Sequence, residues 1–471
     1  MSESVIPKTE TIDALPPEWE SDLLSDIAKR LRTSGNKIVI IDDDPTGTQT
    51  VHDMAVLTTW SADALTRELG KDSTAFYILS NSRSLTSADA CALNREIGAN
   101  LKKASTERGV DITVISRSDS TLRGHFPEEV DAMAEALGTG NLPYLIIPFF
   151  LEGGRYTVND VHYVADEDKL VPAAQTEFAK DAVFGFHSSD LRKWVAEKTK
   201  GRIRAEQVAS VSITDIRQGG PERVREILSL LNPNSACVVN AVSYRDLEVF
   251  VTGLLKAEAL GHRFLYRTAA SFARVRTGTR PRTLLNKEEL VSPSSYGGLF
   301  VIGSYVPKTT AQAEALLTQS DIHHVEISVS HLLDETQQAR EVRDAAQAVN
   351  VALKSGQDVA LFTSRKLVTG SDSQTNLNIG QRVSDSLIEI VRKIKYQPRY
   401  LVAKGGITSS DVATKGLGVR RAVIMGQAFP GVPVWKLGEE SRYPGMVYIV
   451  FPGNVGDTNA LAEIRNRLSR E

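Results

Sequence analysis

IVIIDDDPTGT, residues 38–48, sets an apolar, β-branched run directly against three carboxylates, Asp42, Asp43 and Asp44, and a Thr-Gly turn. A short apolar run closed by a turn signal reads as a strand buried on both faces, as in a parallel sheet. In an open α/β sheet, ligands bind beyond the carboxyl ends of the strands, so the acidic turn is where chemistry is expected first. Three adjacent carboxylates repel one another and weaken the fold unless a cation, a basic side chain or a ligand hydroxyl uses them. The plain alternative is a solvated turn of the kind that Asp, Pro and Gly favour.

Working outward, short apolar runs alternate with helix-period segments for most of the 471 residues. Strands are expected at 38–41, 75–79, 112–116, 144–149, 236–241 and 264–268, then at 299–303, 323–327, 359–363, 400–404, 422–426 and 447–451. Segments 87–106, 336–354 and 383–394 carry apolar residues at i, i+3, i+4 spacing and read as crossover helices. This is the pattern of α/β domains with mostly parallel sheets. The length suggests two or three domains. The best break is the basic, Pro- and Ser-containing stretch 273–296, read as a solvated connector. The resulting division is an irregular N-terminal arm (1–20), an N-terminal α/β domain (21–275), a linker (276–296) and a C-terminal α/β domain (297–471).

With 41% hydrophobic and 24% charged residues and a net charge of −3, the chain offers no electrostatic case for nucleic acid or a membrane surface. Nor does any run approach the roughly 18 apolar residues of a membrane span, and the polar N-terminus lacks a signal-peptide core. Cys91 and Cys237, far apart and outside any metal-ligand spacing, indicate neither zinc nor disulfides and fit a cytoplasmic protein.

Two more strand ends in the first half carry polar clusters: Asn81-Ser82-Arg83-Ser84, and Arg117-Ser118-Asp119-Ser120-Thr121-Leu122-Arg123-Gly124. Carboxylates, hydroxyls and arginines from three strand ends suit a small polyhydroxylated acid, since the guanidinium fork matches a carboxylate and Asp or Ser binds hydroxyls. DSTLRG also reads locally, as a capped turn closed by Gly124 with Arg123 paired to a nearby aspartate. Glu152-Gly153-Gly154-Arg155 follows the 144–149 strand and is placed to close over such a pocket, whereas His162, in an apolar stretch, reads as structural.

In the second half, Gly303-Ser304, Gly405-Gly406 with Thr408, and Pro452-Gly453-Asn454-Val455-Gly456 each form a strand, a glycine turn and a helix start. Such turns present backbone N–H groups to phosphate, and three in one domain suggest a nucleotide. No GxxxxGK[ST] sequence occurs, and GLGVRR (416–421) lacks the third glycine of a dinucleotide fingerprint. Lys404 and Lys436 lie near these turns, without a pattern that singles out either as a phosphate partner.

Taken together these motifs resemble the four-carbon acid sugar kinases. The resemblance rests on Asp43-Asp44-Pro45-Thr46-Gly47, Arg83-Ser84, DSTLRG (119–124), Gly154-Arg155, a TxFxxD stretch (Thr176, Phe178, Asp181) and the three C-terminal glycine turns, in order from about residue 36. It implies an N-terminal domain that binds the sugar acid, a C-terminal domain that binds ATP, and an active-site cleft between them. By position, Asp43, Asp44, Arg83, Arg117, Ser118, Asp119, Ser120, Arg123 and Arg155 are then expected at the substrate, with Asp44 or Asp119 as catalytic base. Arg83 and Arg117 are expected to clamp its carboxylate. Ser304, Gly405, Gly406, Thr408, Gly453, Asn454, Val455 and Gly456 are expected at the nucleotide, with Mg²⁺ through ligands the sequence does not name. The implied reaction is ATP-dependent phosphorylation of a hydroxyl on a small, four-carbon sugar acid; a homo-oligomer is compatible with the sequence. Four features depart from the common pattern: Ser116-Arg117-Ser118 where a lysine pair is usual, Pro45 in place of an apolar residue, His125 where Asn is usual, and Asp42 as an extra carboxylate.

Two other classes compete. Asp42-x-Asp44-x-Thr46 matches the nucleophile motif of haloacid-dehalogenase-type phosphatases, although Asp457 lacks the acidic partner that class needs downstream. A non-catalytic sugar-acid-binding protein is the other.

Overall fold

The computed structural model describes residues 4–303, 306–365 and 373–469. The chain divides into two compact units, one made of residues up to Val51 with Thr59–Pro281, the other of His52–Thr58 with Arg282 onward. Each is α/β, as the alternation of runs requires.

In the first unit seven strands lie in the order Val208–Val211, Ala236–Val239, Tyr144–Ile147, Leu265–Thr268, Ile112–Arg117, Lys37–Asp42, Ala75–Leu79. All neighbours are parallel. The register sets Asp42 opposite Arg117 on one side and Leu79 on the other, so three polar loops leave the sheet at one level. The apolar runs are strands because both faces are covered: Ile38, Val39 and Ile40 are fully buried. Helix Ser87–Arg108 starts where the Thr86 hydroxyl accepts from the Asp89 amide at 3.2 Å and stops at Gly109 in the left-handed region (φ 61°). Beneath the strands, Phe126 stacks on Trp194, ring centroids 5.1 Å apart.

A separate antiparallel sheet joins Arg155–Val158, Val161–Asp166, Lys169–Pro172 and Ile6–Pro7. The N-terminal arm is therefore regular over Ile6–Asp13 and without helix or strand from there to residue 23. Ile6 pairs with Leu170, the Lys8 amide bonds the Asp168 carbonyl at 2.8 Å, and residues Lys8–Asp13 form a helical turn. An isolated two-residue strand carries too little pattern to stand out in sequence.

The second unit runs Met54–Leu57, Arg421–Phe429, Val432–Leu437, Val447–Phe451, Leu401–Lys404, Leu299–Ile302, Asp358–Thr363, Ile322–Ile327. The first four are antiparallel to one another and the remainder parallel. Met54–Leu57, although it follows the acidic turn closely, belongs here: Met54 pairs with Ile424. The stretch 273–296 is a connector only in part: residues 280–284 are exposed coil and the two units divide at Pro281 and Arg282, whereas the residues before them are packed. Arg276 closes helix Ala270–Arg276, is fully buried and bonds Glu258 at 2.7 Å, and Arg282 pairs with Glu289. The carboxylate of Glu258 lets Arg276 leave water, whereas Arg282 stays exposed beside Glu289. Among the described residues no helix is long and apolar enough to cross a membrane.

Candidate functional site

At the carboxyl edge of the first unit's sheet, the triple aspartate splits into three different environments. Asp42, the last residue of its strand, is completely buried 3.4 Å from Arg117, and its Oδ2 has no hydrogen-bond partner among the described residues. Burial, partly offset by Arg117, pushes its carboxyl up to about 7, and Asp43 and Asp44 add to the rise. Asp43 is buried too, but both of its oxygens grip the Arg83 fork, with Nε to Oδ2 at 2.8 Å. Asp44 caps the following turn, accepting from the Thr46 amide at 2.8 Å, and its second oxygen lies 3.4 Å from Arg83. Burial opposes its charge, yet Arg83 and the Thr46 hydrogen bonds outweigh that and hold its carboxyl below the usual range.

Arg117, Ser118 and Asp119 line up at the next strand end, all nearly buried. Asp119 accepts from the Leu122 amide at 3.2 Å, across Thr121 and Leu122, which both occupy the left-handed region (φ 56° and 65°). Such a backbone is strained for non-glycine residues and persists only where its surroundings hold it. Here the holder is Arg267, fully buried, which donates to the Ser118 hydroxyl and, at 2.7 Å, to the Arg123 carbonyl, and lies 3.7 Å from Asp119. Burial raises the Asp119 carboxyl despite that arginine. Glu129 completes the set: it accepts from Ser82 at 2.9 Å and lies 3.9 Å from Arg267, and burial with Asp43 nearby pushes it up to about 7.

The remaining arginines come from the antiparallel sheet and the DSTLRG loop. Arg123 bonds Ser120 and pairs with Asp181 at 3.2 Å; Arg155 donates to the Thr121 hydroxyl at 3.1 Å. Both guanidinium carbons lie about 5 Å from the Phe178 ring centre, at 4.9 and 5.0 Å. Phe178 and Asp181 of the TxFxxD stretch are thus joined to the Gly-Arg turn and to DSTLRG. His162 is buried against the Thr157 hydroxyl at 3.0 Å, and burial with Arg155 nearby drives its pKa down to about 3, so it is neutral at working pH. Sequence reasoning missed Arg267 and Glu129. The one available signal was an arginine inside the apolar run FLYRT; Glu129, in the first turn of helix Glu128–Leu137, carries none.

In the second unit the glycine turns come together. Lys404 pairs in register with Phe451, and its buried ammonium donates to the Pro452 carbonyl at 2.6 Å and that of Gly453 at 3.2 Å. Burial, reinforced by Lys308, brings its pKa down to about 7. Thr309 bonds the Gly453 carbonyl at 3.2 Å, Lys308 that of Asn454 at 3.4 Å, and Gln312 that of Val455 at 2.9 Å. Gly405 (φ 113°) starts helix Gly406–Asp411, and its amide bonds the Phe451 carbonyl at 2.8 Å. A Cβ at Gly303 would lie 2.5 Å from the Thr408 hydroxyl. Bare backbone at Gly405, Gly453 and Gly456 beside a lysine-held loop fits the close approach of phosphates. Ser304 lies outside the described residues, and Lys436 is exposed on the Val432–Leu437 strand.

Residues 38–276 match the family model of a sugar-binding N-terminal domain, and residues 299–461 that of a nucleotide-binding C-terminal domain. The D-erythronate kinase of Heliobacterium modesticaldum is 24% identical over 330 residues, 68% of this chain and 69% of that protein. Among solved structures, a protein of Salmonella typhimurium LT2 provisionally described as a tRNA synthase superposes with a TM-score of 0.66 at 17% identity, covering 92% of this chain and 99% of that one. Haemophilus influenzae protein HI1011 gives 0.62 at 19% identity, covering 92% and 100%. These two likenesses speak for the fold.

Proposed function

The chain belongs to the four-carbon acid sugar kinase family, and from that premise we propose that it transfers the terminal phosphoryl group of ATP to a hydroxyl of a four-carbon sugar acid in the cytoplasm. The observation that carries the assignment of roles is a contrast in exposure. Of the acidic side chains gathered at the strand ends, Asp42, Asp43, Asp119 and Glu129 are exposed by 3% or less, and Asp44 by 22%. Arg83 and the Thr46 hydrogen bonds also hold the Asp44 carboxyl below the usual range, so it is ionised and can accept a proton from an acceptor hydroxyl while the oxygen attacks phosphorus. Asp119, more buried and capping its own loop, is the second candidate base.

ATP when bound supplies the phosphoryl group, and Mg²⁺ the charge that neutralises it. Among the described residues no three His, Cys, Asp or Glu side chains gather as a metal cage, so the ion would be carried mainly by the triphosphate, as Mg²⁺ often is. Gly405, Gly406, Thr408 and the 453–456 turn would hold the phosphates. Lys404 would shape that turn through its carbonyls.

The test is ADP release with a panel of four- to six-carbon sugar acids and their keto forms. Turnover of a four-carbon acid is expected, and Asp44→Asn should lower kcat by about 10²–10⁴-fold while nucleotide binding persists. Near-normal turnover in both Asp44→Asn and Asp119→Asn sinks the assignment of the base. Phosphate release from sugar phosphates without ATP would favour the phosphatase reading, against which stands the complete burial of Asp42. Melting shifts with acids but no ADP across the panel would favour a binding protein.

A further inference from the structure

Five arginines surround the strand-end acids, and their partners differ. Arg83 is filled by Asp43 and Asp44, Arg117 faces Asp42, Arg267 is buried between Ser118, Asp119 and Glu129, and Arg123 is paired with Asp181. Arg155 differs from them: among the described residues no carboxylate reaches it within ion-pair distance. Its Nε is spent on the Thr121 hydroxyl and one terminal nitrogen on the Gly153 carbonyl, leaving the other terminal nitrogen without an acceptor among the described residues. Asp119 and Glu177 attract it only from farther away, while burial and the neighbouring Arg123 both disfavour its charge. Two guanidinium groups at one phenyl ring thus share a single close carboxylate, Asp181. A partly desolvated cation beside a like charge is destabilising unless an anion completes the site.

We propose that Arg155, backed by Phe178 and Arg123, is the group that reads the carboxylate of the sugar acid, in place of the Arg83–Arg117 clamp expected from the family resemblance. Thr121 is the link: it holds Arg155 and sits two residues from Asp119, so a ligand bridging Arg155 and the DSTLRG loop presents its hydroxyls to the strand-end acids. Acid specificity then resides in the antiparallel sheet, and hydroxyl chemistry in the parallel one. The inference rests on the sugar-acid kinase reading.

The experiment compares a four-carbon sugar acid with the uncharged four-carbon polyol, using full-length protein and ATP. In Arg155→Met, kcat/KM for the acid should fall on the order of 100-fold, mostly through KM, with little change for the polyol. Arg155→Lys should fall between, because it keeps charge and loses the fork. Melting temperature and nucleotide binding should match wild type; if Arg155→Met fails to fold, Arg155→Gln, which can still bond Thr121, carries the same expectation. Where the polyol is turned over too slowly to measure, the dissociation constant of the acid alone replaces the ratio. An unchanged preference for the acid in a folded variant overturns the role of Arg155. Failure of wild type to turn over any sugar acid overturns the kinase reading instead.

Discussion

Asp42 is the residue that most repays attention. As the extra carboxylate it could have faced solvent; it is instead sealed beneath Gly47 and Arg117. A carboxylate whose folded pKa is raised binds its proton more tightly in the native state, so its contribution to stability is full below the unfolded value and is lost as pH climbs towards about 7. At pH 5 Asp42 is mostly neutral, and an amide is a fair mimic; at pH 8 the wild type must hold a buried charge and the amide need not. Asp42→Asn should therefore gain stability relative to wild type between pH 5 and pH 8, read from denaturant midpoints at both values. A pH-independent difference would contradict the burial argument. Glu129, also raised to about 7, loses its contribution over the same interval, so wild-type stability itself should decline across it.

At the scale of elements, the acidic strand end works because a glycine lets it close. Gly47 has an ordinary φ, so its role is space: a Cβ there would lie 2.1 Å from an oxygen of Asp42. Gly47→Ala should cost about 1–3 kcal/mol, the range for overpacking, and should weaken sugar-acid binding while sparing nucleotide binding. Thermal melts and binding of each ligand check this, and an alanine variant with wild-type stability would show that the turn relaxes freely. The glycine itself was legible in the TG turn, and so was the strand before it. What could not be read was the reason, because the atom Gly47 avoids belongs to a side chain whose direction is set by the sheet register.

For the whole molecule, the chain's order and its domains do not coincide. His52–Thr58 leaves the first unit to supply an edge strand to the second, where Met54–Ile424 and Leu57–Arg421 are paired. A fragment starting at Arg282 would expose the open edge of Arg421–Phe429, a template for aggregation. It should be less soluble, with a lower melting temperature, than the same fragment supplied with a peptide of residues 50–60. No stabilisation by that peptide would mean the strand is dispensable. The boundary read from composition at 276–296 could not foresee this. Four apolar residues, Met54 to Leu57, carry no mark of which sheet they join.

The class of fold, and the turns at which chemistry is expected, can be read from the order of residues alone. Runs such as IVII and VYIVF are too apolar to be anything but strands covered on both faces, and DDDPTGT, DSTLRG and PGNVG cannot sit elsewhere than at their ends. Tertiary structure alone decided how the charges pair. Which arginine answers which aspartate depends on register across the sheet, on Arg267 and Glu129 arriving from distant segments, and on Arg155 being left over. Charge pairing is a property of distances and burial, and neither is written in the order of residues.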